Sequence, residues 1–206
     1  MQKCDLLIKG ADVLINSGEL RGNVDIAIAD GRILAVDADL AQAYEADEVL
    51  DGRYKLFMPG LVDSHMHTGQ QLLKGLVLDA KPIIWTRVML PFESTLTPEK
   101  MRLSAQAAAL EMIKSGTAGF IDAGSYFMED AAAVYETSGL RGALSYSTMD
   151  EEGLPESIAM DANEAVRRTD SLFDAFHGKG NLKVYYSLRA LNSCSNRLVE
   201  LEAEHA

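Results

Sequence analysis

Two histidines one residue apart, His65 and His67, are the residues of this sequence best suited to chemistry. They follow a short apolar run, Phe57-Met58-Pro59-Gly60-Leu61-Val62, with Asp63 next after the run. Side chains alternate between the faces of a β-strand, so both imidazoles are expected to point the same way from one strand end. Neutral imidazole is a common ligand of divalent transition metals. The pair therefore predicts a metal site, the alternative being two solvated loop histidines.

The composition is that of a globular protein with a strong acidic bias. Hydrophobic residues make up 48% of the 206 residues, which is enough for a sizeable core. The 19 basic residues against 31 acidic ones give a formal net charge of −12, which opposes binding to nucleic-acid phosphates or anionic lipid. We therefore expect a small-molecule partner, no nucleic acid and no membrane, while a homo-oligomer is left open.

The chain also lacks the usual signals of export. No apolar run is long enough to span a bilayer, and the N-terminus has no apolar core of a signal peptide. Cys4 and Cys194 are far apart and do not resemble a disulfide framework, so both are expected to be reduced. The expected location is cytoplasmic.

Short β-like segments separated by turn signals fill the chain up to about Gly52. The pattern predicts strands over 5–15, 24–29, 33–36 and 48–50, with turns at Asn16-Ser17-Gly18 and Asp30-Gly31. The second turn is a strong hairpin signal. So few strands do not close a core, and residues 1–55 are predicted to be part of a small β-sandwich domain.

After Gly52 apolar strands alternate with helices, which is typical of an α/β fold. Strands are predicted over 56–62, 117–121, 140–145 and 182–188. Helices are predicted over 98–115, 130–138, 156–176 and 196–205, with Thr97 and Ser195 as N-caps and Gly116 as a stop.

The arrangement favours a (β/α)8 TIM-type barrel over a doubly wound sheet. The glycine fingerprint of a dinucleotide fold is absent after the first strand, where His65-Met66-His67-Thr68-Gly69 stands instead. A full barrel has eight strands in typically ~250 residues, whereas about four strands are recognised here. Residues 56–206 are therefore predicted to form the N-terminal half of a barrel.

The segment Met58-Pro59-Gly60-Leu61-Val62-Asp63-Ser64-His65-Met66-His67 resembles the metal-binding signature of the amidohydrolase superfamily. Three further segments are similar to the branch of aminohydrolases that act on adenosine-type nucleosides, guanine and triazines. They are Gln71-Leu72-Leu73-Lys74-Gly75, Leu96-Thr97-Pro98-Glu99 and Leu110-Glu111-Met112-Ile113-Lys114-Ser115-Gly116-Thr117-Ala118-Gly119-Phe120-Ile121-Asp122. The resemblance covers the whole chain. It implies that the barrel half belongs to a metal-dependent hydrolase.

The resemblance implies hydrolytic deamination of a nitrogen heterocycle by metal-activated water, at the carbon–nitrogen bond of a cyclic amidine. His65 and His67 would be metal ligands for one divalent ion, zinc in the first place and iron as the alternative. Lys183 lies near the start of its strand, so no bridging lysine is available for a second metal. The other ligands and the main acid and base groups are expected beyond Ala206. This chain alone is therefore expected to be inactive.

Substrate contacts are predicted at Gln70, Trp85 and Arg189. Gln70 has the alternative of a solvated loop amide, and Trp85 that of a core aromatic. Arg189 stands where nucleoside-deaminating relatives carry a histidine, and it offers a planar donor fork to oxo groups, or alternatively a salt bridge. Ile84 stands where those relatives tend to carry a glutamate for the ribose. An oxo-purine, pterin or similar heterocycle is thereby favoured over adenosine.

Three acidic or hydroxyl side chains are expected to order the metal site. Asp63 is predicted to form hydrogen bonds behind the ligands, with a turn residue as the alternative, and Asp122 and Ser125 are further candidates. Two other functions stay open at this point. One is hydrolysis of another ring leaving group, such as halide from a triazine. The other is a catalytically incomplete fragment, because two imidazoles leave a metal site open.

Overall fold

The computed structural model of the chain describes residues 1–15, 18–77, 81 and 83–206. These residues divide into two compact units, Met1–Gly60 and Leu61–Ala206. The division lies after Gly60, whereas the sequence pattern put it after residue 55. The difference arises because Leu56–Phe57 pairs with the first strand of the N-terminal unit.

The N-terminal unit is a five-stranded sheet. Its first strand, β1, pairs antiparallel with β2 and parallel with both β4 and β5, and β2 pairs antiparallel with β3. Alternate residues of β1 enter two separate apolar clusters, one with Leu7 and the other with Ile8. The strands are β1 Gln2–Leu14, β2 Leu20–Ala29, β3 Arg32–Asp37, β4 Tyr44–Asp51 and β5 Leu56–Phe57.

The β2–β3 hairpin turns at Asp30-Gly31, as the sequence predicts. Both residues have positive φ, 51° and 67°, which is the type I′ geometry that matches the twist of the strands. The carboxylate of Asp5 accepts the backbone N–H of Asp30 at 2.7 Å and holds the turn. The other predicted turn cannot be compared, because Asn16 and Ser17 lie outside the described residues.

The C-terminal unit contains a parallel sheet in the order β6-β7-β8-β9, with helices after the strands. The strands are β6 Leu61–Met66, β7 Thr117–Asp122, β8 Arg141–Leu144 and β9 Leu182–Val184. The helices are α1 Leu90–Glu93, α2 Pro98–Ser115, α3 Met128–Ser138, α4 Ala162–Phe176 and α5 Asn196–His205. Helical turns over Thr68–Leu73, Trp85–Met89 and Leu191–Ser193 complete the connections.

The prediction of one buried strand over 56–62 is wrong. Its first part is β5 of the N-terminal unit, and Leu61 begins β6. Pro59 has no N–H to give to a ladder, so pairing is interrupted there. Leu61 and Val62 are also 54% and 67% exposed in this structure, rather than buried on both faces.

Local signals set most helix boundaries. Thr97 accepts the Lys100 N–H at 3.3 Å at the start of α2, and Gly116 ends that helix with φ 81°. The third predicted helix begins at Ala162 rather than at residue 156, because the Asp161 side chain caps it by accepting the Glu164 N–H at 2.8 Å. No helix in the described part of the chain combines the length and apolar character that crossing a membrane requires.

Helices α2, α3 and α4 contribute the main core together with the parallel sheet. Its largest fully buried members are Tyr135, Tyr146, Met101, Met128, Leu144, Met149, Leu172 and Leu182. Because a packed core resists displacement, this cluster holds the C-terminal ends of the strands in fixed positions.

Helix α5 buries one carboxyl group. Glu202 is 5% exposed, and its Oε1 has no hydrogen-bond partner within the described residues. Burial raises the pKa of Glu202 to about 7, against a smaller opposite effect of the Thr148 hydroxyl. As the pH rises, the unfolded chain therefore loses the Glu202 proton at a lower pH than the folded chain does.

We predict that Glu202→Gln raises the unfolding free energy, relative to wild type, more at pH 8 than at pH 4.5. Between these values the folded state binds more protons than the unfolded state, so the wild-type unfolding free energy falls as pH rises, by roughly 2 kcal/mol from this group. Urea unfolding at both pH values measures the change. Glu204→Gln, at an exposed position of the same helix, is the control. A difference between Glu202→Gln and wild type that is independent of pH would contradict the prediction.

Candidate active site

Polar groups gather at one edge of the parallel sheet, where all four strands end. His67 follows β6, Gly124 follows β7, Ser147 follows β8 and Arg189 follows β9. Single bridges between Ser125 and Tyr146 and between Thr148 and Leu188 continue the pairing beyond the strands. Because parallel strands end at the same edge, these residues lie side by side.

The two histidine rings lie together at the end of β6. Their centroids are 5.1 Å apart and their planes are at 88°. Two imidazoles that bind one zinc ion through nitrogens about 2.1 Å away have centroids roughly 5 Å apart, so the observed spacing fits a shared ion. Among the described residues, no cluster of three or more histidine, cysteine or acidic side chains has the arrangement of a complete metal site.

The orientation of the His67 ring is set by a backbone carbonyl. Its Nδ1 lies 2.8 Å from the oxygen of Gly124. A carbonyl oxygen only accepts, so Nδ1 carries the proton and the neutral ring keeps its lone pair on Nε2. This is the usual way in which a metal-binding histidine is oriented. Burial lowers the pKa of His67, and the positive charge of Arg189 lowers it further, so the neutral ring is favoured.

A buried carboxylate joins the turn after β6 to the loop after β7. One oxygen of Asp122 accepts the backbone N–H of Thr68 at 3.0 Å and also the Thr68 hydroxyl, and the other accepts the N–H of Gly124 at 3.0 Å. Burial raises the pKa of Asp122, while the Thr68 hydrogen bonds oppose that rise. Ser125 adds a second tie by accepting the Gly69 N–H at 3.0 Å. Asp122 and Ser125 thus hold the backbone around His67.

Asp63 makes a more local contact. Its side chain accepts the backbone N–H of His65 at 3.2 Å, and both residues are exposed. The structure places no hydrogen bond between Asp63 and either histidine ring within the described residues. Its predicted role behind the ligands therefore stays a prediction.

A cleft of about 370 Å³ opens beside His67. Its lining residues are His67, Gln70, Trp85, Met89, Arg189, Ala190 and Asn192. Three predicted substrate contacts and one predicted metal ligand thus share one cleft. Trp85 also packs against the main core, so its two predicted roles are compatible. His65 and Asp63 are not part of the lining.

Arg189 is engaged in a buried ion pair. Its Nη2 lies 2.9 Å from Oε1 of Glu93, and the two side chains are 5% and 1% exposed. Its Nη1 donates to the carbonyl of Gly124 at 3.1 Å and to the hydroxyl of Ser147 at 3.3 Å. The salt bridge named as an alternative for Arg189 is present, and the carbonyl that orients His67 also binds Arg189.

Gln70 reaches the same carboxylate. Its Nε2 donates to Oε1 of Glu93 at 2.7 Å. Gln70 is therefore not only a solvated loop amide, because one of its polar atoms is held inside the protein.

Comparison with known proteins identifies the family of this chain. Residues 56–197 match the model of the amidohydrolase family. The chain belongs to the amidohydrolase family. This confirms the resemblance drawn from the segment that ends at His67.

Relatives of this amidohydrolase include proteins named as deaminases. It is 32% identical over 210 residues to a 5'-deoxyadenosine deaminase of Methanosarcina mazei, a match that covers 98% of this chain and 46% of the relative. The chain thus spans about half the length of the curated relatives it matches.

Solved structures share its fold. A zinc-bound adenosine deaminase of Xanthomonas campestris superposes with a TM-score of 0.90 at 23% identity, covering 100% of this chain and 47% of that one. A guanine deaminase of C. acetobutylicum with bound guanine gives 0.85 at 20% identity, covering 97% and 49%. These likenesses establish a mixed α/β fold of the amidohydrolase type.

Three residues of the candidate site were not predicted from the sequence: Glu93, Gly124 and Ser147. Ser147 and Gly124 contribute contacts that depend on chain segments far apart in sequence, and Gly124 acts through its backbone. Of the three, only Glu93 had a recognisable signal in the sequence, because it is an acid directly after the apolar stretch Leu90-Pro91-Phe92. An acidic side chain is almost never fully buried unless it is paired, so a glutamate buried with this stretch would need a partner.

Gly124 has no room for a side chain. Its φ is 103°, and a Cβ would lie 3.0 Å from the oxygen of Tyr146 and 3.1 Å from Cα of Ser147. Both neighbours are backbone atoms, which do not move without disturbing β8. The position therefore requires glycine in order to present its carbonyl to His67 and Arg189.

We predict that Gly124→Ala lowers the unfolding free energy by roughly 2–3 kcal/mol, from backbone strain and overlap together. The matched control is Gly153→Ala, where φ is 87° and no atom lies within 4 Å of the added Cβ. That control carries the strain alone, about 1 kcal/mol. Urea unfolding compares the two variants. Equal losses would show that the close approach at Gly124 has no energetic effect.

Proposed function

We propose that the full-length amidohydrolase to which this chain belongs is a metal-dependent hydrolase that deaminates a nitrogen heterocycle. The observation that supports the proposal most is the His65–His67 pair with its centroid spacing of 5.1 Å and with Nδ1 of His67 held by Gly124. In this proposal β6–β9 are the first four strands of a (β/α)8 barrel. Residues Met1–Gly60 are part of a small β-sandwich.

His65 and His67 would hold one divalent ion, zinc in the first place. A bound divalent ion supplies hydroxide at neutral pH, since it lowers the pKa of its water to about 7. The residues of this chain act around that step. Gly124 keeps the proton on Nδ1 of His67 and so leaves the lone pair on Nε2, and Asp122 keeps the Gly124 loop in place.

The cleft beside His67 would hold the heterocycle. Trp85 offers a flat apolar surface, Gln70 a hydrogen-bond acceptor and Arg189 a donor. A ring that carries an oxo group next to an N–H matches this set, as in an oxo-purine or a pterin. We propose such a ring as the substrate class.

Adenosine-type nucleosides are the second candidate, because curated relatives of this chain are named for such substrates. Their ribose would need a hydrogen-bond acceptor near Trp85. The segment after Trp85 does carry a glutamate, Glu93, but its side chain is 1% exposed and does not line the cleft. That burial supports the oxo-heterocycle over the nucleoside.

We predict that the full-length protein binds a divalent ion and releases ammonia from guanine or pterin faster than from adenosine. His65→Ala/His67→Ala should reduce bound zinc and lower kcat/KM by at least about a thousandfold, because water activation is lost. His205→Ala, a histidine of α5 paired with Asp170, is the control. Metal analysis and an ammonia assay provide the measurements.

Three results would contradict parts of the proposal. Full activity in the double histidine variant would remove the metal role. Halide release from chlorotriazines without ammonia release from purines would indicate the other leaving group. Faster turnover of adenosine than of guanine would overturn the substrate class.

A further inference from the structure

Glu93 lies behind the cleft wall, where its carboxylate contacts two cleft residues without lining the cleft itself. Its side chain is 1% exposed. Oε1 accepts from Nε2 of Gln70 at 2.7 Å and from Nη2 of Arg189 at 2.9 Å. Oε2 is buried and has no hydrogen-bond partner among the described residues. One oxygen thus holds two polar residues of the wall, Gln70 and Arg189.

The carboxylate decides which way the Gln70 amide is turned. A carboxylate accepts hydrogen bonds and donates none, so the amide must direct its NH2 group to Glu93. A reversed amide would place two acceptor oxygens in contact and leave a buried group unpaired. The carbonyl oxygen of Gln70 is then left for the cleft.

Arg189 is fixed in a complementary way. A guanidinium has five N–H donors, of which three are used by Glu93, Gly124 and Ser147. The two others have no partner in the described part of the chain. The wall therefore offers an acceptor from Gln70 beside donors from Arg189.

We propose that Glu93 is a positioning residue that sets this acceptor–donor order and thereby selects a cyclic-amide edge, an inference that rests on the deaminase function proposed above. The ring N–H donates to Gln70 and the neighbouring ring C=O accepts from Arg189. A methyl group on the ring nitrogen removes the donor and meets the oxygen of Gln70. The order depends on Glu93, which touches no substrate atom.

The first test observes Gln70 directly and needs no activity. In the ¹⁵N–¹H NMR spectrum of this chain, the Gln70 side-chain NH2 signals, assigned with Gln70→Asn, should exchange slowly with solvent. Glu93→Met removes the acceptor and should speed that exchange by at least about tenfold, because a net stabilising hydrogen bond is lost. Glu111→Met is the matched control, since Glu111 binds the Gln71 amide at the exposed surface.

A second variant covers the case in which Glu93→Met does not fold because Arg189 is left buried and unpaired. Glu93→Met/Arg189→Met replaces the pair with apolar side chains, a change that buried ion pairs often tolerate. Gln70 should again lose its slow exchange. Unchanged slow exchange of the Gln70 NH2 signals in either variant that folds would overturn the proposal.

The second test measures selectivity in the full-length protein. The ratio of kcat/KM for guanine over 1-methylguanine should fall by about tenfold or more in Glu93→Met, mainly through KM for guanine. In Glu111→Met the ratio should stay at the wild-type value. An unchanged ratio in Glu93→Met would overturn the selectivity role. Absence of ammonia release from any heterocycle would instead overturn the deaminase function, while the NMR result would still decide the role of Glu93.

Discussion

The carbonyl oxygen of Gly124 is the acceptor that joins His67 to Arg189 in the candidate site. It accepts Nδ1 of His67 at 2.8 Å and Nη1 of Arg189 at 3.1 Å. The first bond determines which imidazole nitrogen is free for a metal, and the second holds the cation of the cleft wall. The proposed metal ligand His67 and the proposed substrate contact Arg189 are therefore joined through one backbone atom.

A backbone acceptor of this kind needs support from the rest of the fold. The Asp122 carboxylate accepts the Gly124 N–H, and the Asp122 carbonyl oxygen accepts the hydroxyls of Ser145 and Tyr185 at 3.0 and 2.7 Å. A buried carboxylate is costly unless hydrogen bonds satisfy it, and here donors reach both its oxygens. The Glu93 carboxylate is paired with Arg189 through Oε1, while its Oε2 is buried without a hydrogen-bond partner among the described residues. Strand ends, loop and cleft wall form one hydrogen-bonded assembly.

The sequence alone was sufficient where local chemistry decides. The bounds of α2 follow from Thr97-Pro98 and Gly116, and the β2–β3 hairpin follows from Asp30-Gly31. It was insufficient where pairing partners are distant. The predicted strand 182–188 keeps regular pairing only over Leu182–Val184, since the chain then departs from the ladder until the bridge at Leu188.

The same distinction between local features and distant partners applies to the candidate site. The residue types of His65, His67, Gln70 and Arg189 and their strand-end positions were readable, and the structure brings three of them to one cleft. Their partners were not readable, because Glu93 is 96 residues from Arg189 along the chain. A backbone carbonyl such as that of Gly124 leaves no trace in residue type at all, apart from the glycine that its conformation requires.

The tautomer of His67 tests the central claim most directly. Long-range ¹H–¹⁵N NMR of the imidazole in this chain, with and without added zinc, distinguishes a protonated Nδ1 from a protonated Nε2. We predict a proton on Nδ1 in both states and a zinc-induced ¹⁵N shift that is larger at Nε2 than at Nδ1. A neutral ring protonated at Nε2, or a zinc-induced shift that is larger at Nδ1, would contradict the orienting role of Gly124.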